Sequence, residues 1–152
     1  MDTIKGYWYI AAAGSELKAK PINRKVEGES LVLWRDEAGN PHALRDRCAH
    51  RGMALSAGKV VNDCVQCPYH GYAYDGQGRL KDIPSLCSGE RLPRVRGMKS
   101  LPVIEQQEQL WVWIGEQEPT RKPFEFPHYG EEGWTTFFMQ TRFHAPVDMC
   151  LE

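Results

Sequence analysis

The sequence predicts an all-β fold, either a sandwich or a barrel. Hydrophobic residues show almost no helical period, and short apolar runs alternate instead with turn residues. The chain contains 14 glycines and 10 prolines, which supply those turns. Many short strands separated by Gly and Pro turns are typical of all-β sandwiches and barrels.

The order of the expected strands follows from the apolar runs and the turns between them. Turn clusters at 36–40 and 75–78 each lie between two β-prone runs and predict hairpins. The last run, 110–114, is apolar at every position, which is typical of a strand buried on both faces. The expected strands are 6–13, 22–26, 30–35, 41–46, 59–61, 64–67, 72–74, 79–81, 102–106 and 110–114.

The chain changes character after residue 116. Prolines at 119, 123 and 127 lie among charged residues, which is typical of a linker. A further strand is expected over 134–143, and a helix with Pro146 in its first turn over 146–152. We therefore expect one domain over residues 1–116, followed over 117–152 by a linker and the truncated start of a second unit.

Composition excludes several classes of protein. Nineteen Lys and Arg against 20 Asp and Glu give a net charge of -1, which argues against a general nucleic-acid surface. No apolar run approaches the roughly 18 residues of a membrane helix, and the N-terminus lacks a secretory signal. We expect a cytoplasmic protein with reduced thiols, so its five cysteines indicate metal binding or catalysis before disulfides.

Two short segments carry the chemistry, Cys48-x-His50 and Cys67-x-x-His70, with 16 residues between His50 and Cys67. Each segment offers one thiolate and one imidazole, and each contains a glycine that permits loop conformations closed to other residues. A single zinc ion is one reading, although zinc sites usually pair cysteines with each other. Mixed pairs suit a Rieske [2Fe–2S] centre, in which two Cys hold one iron and two His hold the other.

These segments, Cys-Ala-His-Arg-Gly at 48–52 and Cys-Pro-Tyr-His-Gly at 67–71, resemble those of the Rieske non-haem iron oxygenases, α-subunit type. The resemblance continues through the hairpin at 72–80 and the strand at 110–115, and spans roughly 7–152. It implies a Rieske iron-sulfur fold, an antiparallel β-sandwich with a smaller cluster-binding subdomain. It also implies a Rieske-type [2Fe–2S] cluster and these four ligands, the cysteines on one iron and the histidines on the other: Cys48, Cys67, His50 and His70.

The resemblance also separates two branches of the family. Respiratory-type Rieske proteins carry an extra cysteine in each ligand segment, and the two form a disulfide. The matching positions here are Met53 and Tyr69, so the chain resembles the oxygenase and ferredoxin branch. We therefore expect a potential at the low end of the Rieske range of about -150 to +300 mV.

The second iron of such oxygenases has no ligands in this sequence. In the family, a mononuclear Fe(II) bound by two His and one carboxylate belongs to the catalytic domain, and its motif follows a segment like 147–152. His128, His144 and Asp148 are candidates by residue type alone, and they match none of the family's ligand positions. We expect that this chain, as given, does not oxygenate a substrate alone.

The leading hypothesis is one-electron transfer by the N-terminal domain of an oxygenase that would hydroxylate or demethylate an organic substrate with O2. The resemblance implies a reductase or ferredoxin as electron donor, and a catalytic domain as acceptor, usually in a neighbouring subunit of a homotrimer. From the charge balance and the short apolar runs, we expect neither a nucleic-acid nor a membrane partner. The alternatives are a stand-alone Rieske ferredoxin, which the extra residues beyond 116 disfavour, and a zinc-stabilised binding module.

Overall fold

A computed structural model describes residues 4–87, 90–92, 97–145 and 149, and the all-β prediction is confirmed. Within that part of the chain, the only helical elements are short 3-10 turns such as Leu55–Ala57, and none is long enough to cross a membrane. Its strands are β1 (Tyr7–Ala13), β2 (Ile22–Val26), β3 (Glu29–Arg35), β4 (Pro41–Arg45), β5 (Lys59–Val61), β6 (Cys64–Gln66), β7 (Ala73–Tyr74), β8 (Leu80–Asp82), β9 (Val103–Gln106) and β10 (Gln109–Ile114).

The strands form three antiparallel sheets. The first sheet has the order β1-β10-β9, so the first strand of the chain pairs with the last. All six residues of β10 are buried, which confirms its predicted burial on both faces. The second sheet is β2-β3-β4, and the third is the four-stranded meander β5-β6-β7-β8.

Strand β3 lies between two hydrophobic cores. Successive side chains of a strand point to opposite faces, so Leu31 and Leu33 enter one core while Val32 and Trp34 enter the other. The first core also takes residues from β1 and β10. The second core joins β3 to the third sheet, and it contains both cysteines of the two candidate motifs. A smaller subdomain is thus built around these cysteines, as the fold prediction required.

The segment after β10 differs from its prediction. Residues 134–143 are described and form no strand, and all ten are exposed. A strand needs a neighbour to satisfy its amides and carbonyls, and no strand of the described chain pairs with this segment. An earlier part of this segment does contact the domain. The Phe126 backbone forms two hydrogen bonds, at 2.7 and 2.9 Å, with the side chain of Gln107 in the turn between β9 and β10. The helix expected over 146–152 lies outside the described residues, apart from Met149.

Candidate metal centre

The two candidate motifs lie in two loops that the structure brings together. The first ligand loop, 48–53, follows β4, and the second ligand loop, 67–72, joins β6 to β7. In each loop the cysteine amide donates to the carbonyl five residues later, at 2.8 Å from Cys48 and 2.9 Å from Cys67. The amide four residues later donates back to the cysteine carbonyl, at 2.8 and 3.1 Å respectively. The two loops therefore repeat one backbone pattern.

A glycine in each loop makes this pattern possible. Gly52 has φ +72° and Gly71 has φ +73°, in the left-handed region that favours glycine, as the sequence predicted. At Gly71 the backbone also approaches Pro84, and a Cβ there would lie 2.6 Å from the proline Cγ. At Gly52 a Cβ would meet the Nε atom of the exposed Arg47 side chain at 3.1 Å.

The two thiols form the inner half of the site. Cys48 and Cys67 are only 3% and 4% exposed. Burial raises the pKa of the Cys67 thiol and the neighbouring Cys48 thiol raises it further, whereas the backbone amides of Tyr69 and His70 lower it. Binding of a metal must therefore displace the proton of the Cys67 thiol, because cysteine ligates as the thiolate.

Tyr74 is a residue of this site that the sequence did not identify. Its hydroxyl lies 3.5 Å from the Cys48 Sγ atom, and its side chain is completely buried. Burial raises the pKa of Tyr74, and the Cys48 thiol raises it further, so the hydroxyl keeps its proton at neutral pH. A protonated hydroxyl can donate to a thiolate. Its position, seven residues after the second cysteine in an ordinary strand, gave no sequence signal.

The two imidazoles form the outer half. His50 and His70 are exposed, and their ring centroids are 4.8 Å apart. Tyr72 stacks on His50 with centroids 4.5 Å apart and 13° between planes, while the Tyr69 ring lies 3.8 Å from that of His70. Partial desolvation lowers the pKa of His50, and the charges of His70 and Arg51 lower it further, which favours the neutral imidazole that a metal ligand requires.

The donors therefore meet as a buried thiol pair and an exposed imidazole pair. This arrangement fits two metal atoms, one on the sulfur side and one on the nitrogen side, as a [2Fe–2S] cluster with Rieske ligation requires. Within the described residues, no three His, Cys, Asp or Glu side chains are arranged to hold a single metal ion.

Of the other candidate residues, His128 has partners outside the two ligand loops. His128 sits in a turn, where its Nδ1 atom is 2.9 Å from a Glu131 carboxylate oxygen and its ring stacks on Trp134. His144 is exposed, and Asp148 lies outside the described residues. Of the remaining cysteines, Cys64 is buried, Cys87 is exposed, and Cys150 is outside the described residues.

Comparison with known proteins identifies the family. Residues 7–105 match the profile described as the Rieske [2Fe-2S] domain. The chain belongs to this family. The cofactor of a Rieske domain is the [2Fe–2S] cluster, so the cofactor prediction from the sequence is confirmed.

The relatives of this Rieske domain are components of oxygenases. It is 40% identical over 121 residues to chlorophyllide a oxygenase of Chlamydomonas reinhardtii, covering 78% of this chain and 18% of that protein. It is 39% identical over 116 residues to the oxygenase component of dicamba O-demethylase of Stenotrophomonas maltophilia, covering 76% of this chain and 34% of that one. The solved structure of dicamba monooxygenase with non-heme iron and dicamba superposes with a TM-score of 0.69, at 39% identity, over 76% of this chain and 35% of that one. The chain thus spans at most about a third of these relatives.

Proposed function

We propose that Cys48 and Cys67 bind one iron of the Rieske cluster and that His50 and His70 bind the other. The observation that carries this proposal is the repeated backbone pattern of the two ligand loops, which brings buried thiols together on one side and exposed imidazoles on the other. When bound, the cluster supplies one-electron transfer. The apolar second core keeps water from the two sulfurs, because Val32, Leu55 and Val65 share that core with them, and their side chains are fully buried.

The electron enters and leaves on the imidazole side. His50 and His70 are exposed there, and the Tyr69 side chain beside them is 54% exposed. A reductase or ferredoxin donor would reach the domain at this surface. The acceptor would be an oxygenase catalytic domain, supplied by a neighbouring subunit in a homotrimer.

The whole protein would be an oxygenase that hydroxylates or demethylates an organic substrate with O2, at a mononuclear iron outside this chain. Residues 1–116 would form the Rieske domain, because β10 must reach Ile114 to pair with β1. Residues 117–152 would lead into the catalytic domain. In this segment Trp134, Phe137 and Met139 are 60%, 82% and 83% exposed, and such apolar side chains are usually covered by further protein.

A stand-alone Rieske ferredoxin is the second candidate. It would use the same four ligands and need no catalytic domain. Oxygenase components among the relatives, and the exposed apolar segment after residue 117, favour the oxygenase.

Substitution of each ligand by alanine tests the proposed site. We expect Cys48→Ala, His50→Ala, Cys67→Ala and His70→Ala each to abolish stoichiometric iron and acid-labile sulfide, together with the EPR signal of the reduced protein. Cys64→Ala is the matched control, because Cys64 is also a buried thiol, three residues before Cys67, and we expect this variant to keep its cluster. One zinc ion per wild-type chain, with no labile sulfide, would contradict the proposal.

A further inference from the structure

The first ligand loop lacks the strand support of the second. The second ligand loop is bracketed by β6 and β7, which pair with each other directly at its base through Gln66 and Ala73. The first ligand loop follows β4, whose partner is β3, and the chain then runs to β5, whose partner is β6. No strand pairing joins the two ends of the stretch from 46 to 58, which carries Cys48 and His50.

A buried carboxylate, that of Asp46, holds the two sides of this stretch together instead. Asp46 is 9% exposed, and its Oδ1 atom accepts the Ser56 amide at 2.8 Å. Its Oδ2 atom accepts the Ser56 hydroxyl at 2.5 Å and the Asn23 side-chain amide at 2.7 Å. The Asp46 amide in turn donates to the Ser30 carbonyl at 2.8 Å. We call Asp46, Ser56 and Asn23 the Asp46 clamp.

We propose that Asp46 is a positioning residue for the cluster. The Asp46 clamp closes the stretch from 46 to 56 and fixes it to β2, and so holds Cys48 and His50 in register with the second ligand loop. This inference rests on the proposed function, since it concerns how the proposed ligands are held.

The clamp requires a carboxylate. The three groups that contact the Asp46 side chain, two from Ser56 and one from Asn23, are all donors, and a carboxylate has only acceptors. In Asp46→Asn, one oxygen is replaced by an NH2 group, which would face either the Ser56 amide or the Asn23 amide, donor against donor. A buried donor without an acceptor is unfavourable, so the loop would have to move.

Loss of the cluster from the full, iron-loaded chain tests the inference. We expect Asp46→Asn to lose iron to a strong chelator roughly tenfold faster than the wild type, because a buried donor left without an acceptor loosens the loop that carries Cys48 and His50. Its reduced EPR g values should shift, because Cys48 and His50 are held differently. Ser56→Ala removes one hydroxyl donor only, and we expect a smaller acceleration in the same direction. The exchange Asn23→Asp with Asp46→Asn places an acceptor opposite the new donor, and we expect it to restore slow loss.

Val112→Ala is the control for general destabilisation. Val112 lies in the first core, away from both ligand loops, and its truncation lowers the Tm without touching the clamp. At a matched Tm loss, we expect this variant to keep wild-type g values and a wild-type rate of iron loss. An unchanged rate in both Asp46→Asn and Ser56→Ala would overturn the inference, as would equal acceleration by Val112→Ala. The proposed function is tested separately, by iron and sulfide in the wild type.

Discussion

The two ligand loops have the same backbone pattern, but they are held by different kinds of contact. The second ligand loop is held by backbone groups, because β6 and β7 pair at its base through Gln66 and Ala73. The first ligand loop is held by side chains. The Asp46 carboxylate closes it, and the Tyr74 hydroxyl reaches its cysteine.

Two loops with the same local geometry can therefore differ in their sensitivity to mutation. Backbone contacts survive most side-chain substitutions, so the second ligand loop should be destabilised only by a side chain that collides with its backbone or neighbours. Side-chain contacts can be removed one at a time, so the first ligand loop should respond in small, separable steps.

Substitution of the glycines in the two ligand loops should change stability more than any other variant proposed for this comparison. Gly71→Ala should lower the free energy of unfolding by about 2–5 kcal/mol, because about 1–2 kcal/mol for the left-handed backbone adds to about 1–3 kcal/mol for overpacking against Pro84. Gly52→Ala should lower it by about 1–2 kcal/mol, because the exposed Arg47 side chain can move aside. Urea unfolding of both variants measures the difference.

Gly28→Ala is a useful reference for these two variants. Gly28 has φ +77° in a hairpin turn, and a Cβ there would meet nothing within 4 Å. Its substitution measures the backbone contribution alone. If Gly71→Ala lost no more stability than Gly28→Ala, the contact with Pro84 would not restrain the second ligand loop.

Removal of the Tyr74 hydroxyl tests its contact with the Cys48 sulfur, and we expect a moderate change in midpoint potential. Tyr74→Phe removes the only side-chain donor near Cys48 among the described contacts. A donor to a cluster sulfur stabilises the reduced, more negative state, so its loss should lower the midpoint potential by roughly 40 mV, equivalent to about 1 kcal/mol for one electron. Protein-film voltammetry of the loaded chain measures this shift.

Tyr72→Phe is the matched control. It keeps the ring that stacks on His50 and removes a hydroxyl that, within the described chain, forms no hydrogen bond with either sulfur. We expect a shift well below that of Tyr74→Phe. Equal shifts in the two variants would mean that the hydroxyls act through general polarity, and the Cys48 contact would then have no special role.

The sequence predicted most of the fold and the inner geometry of the loops because both depend on local patterns. Alternating apolar runs and Gly turns gave the position of every strand from β1 to β10 to within two residues at either end. The paired Cys and His segments predicted the [2Fe–2S] cofactor because residue type and spacing are local properties. Residues 134–143 were predicted wrongly as a strand, because an apolar run cannot reveal whether a partner strand lies beside it.

Contacts between distant segments could not be predicted for the same reason. Tyr74 is 26 residues from Cys48, and Asn23 is 23 residues from Asp46. Nothing in the local sequence of Tyr74 distinguishes a hydroxyl aimed at a sulfur from an ordinary core tyrosine. The packing of the third sheet against β3 brings Tyr74 to Cys48. The order β2-β3-β4 of the second sheet brings Asn23 to Asp46.

The turn at 36–40 is also held by a carboxylate, that of Asp36, but it lies outside the site, and its substitution should change stability least. Hydrogen bonds from Asn40 and then from His42 lower the pKa of Asp36 to about 2. A carboxylate with a lowered pKa stabilises the fold above its unfolded pKa of about 4, and this contribution is lost as the pH falls toward 2. Asp36→Asn should therefore cost up to about 1 kcal/mol at pH 7, after allowance for solvent screening, and progressively less below about pH 4. Urea unfolding of wild type and variant side by side measures this difference in stability, since acid loss of the cluster is common to both.

The rate of iron loss from Asp36→Asn at pH 7 should not change, because the turn that contains Asp36 holds no proposed ligand. Faster loss in Asp36→Asn would mean that any weakened turn loosens the site, and the distinction between the two loops would then fail.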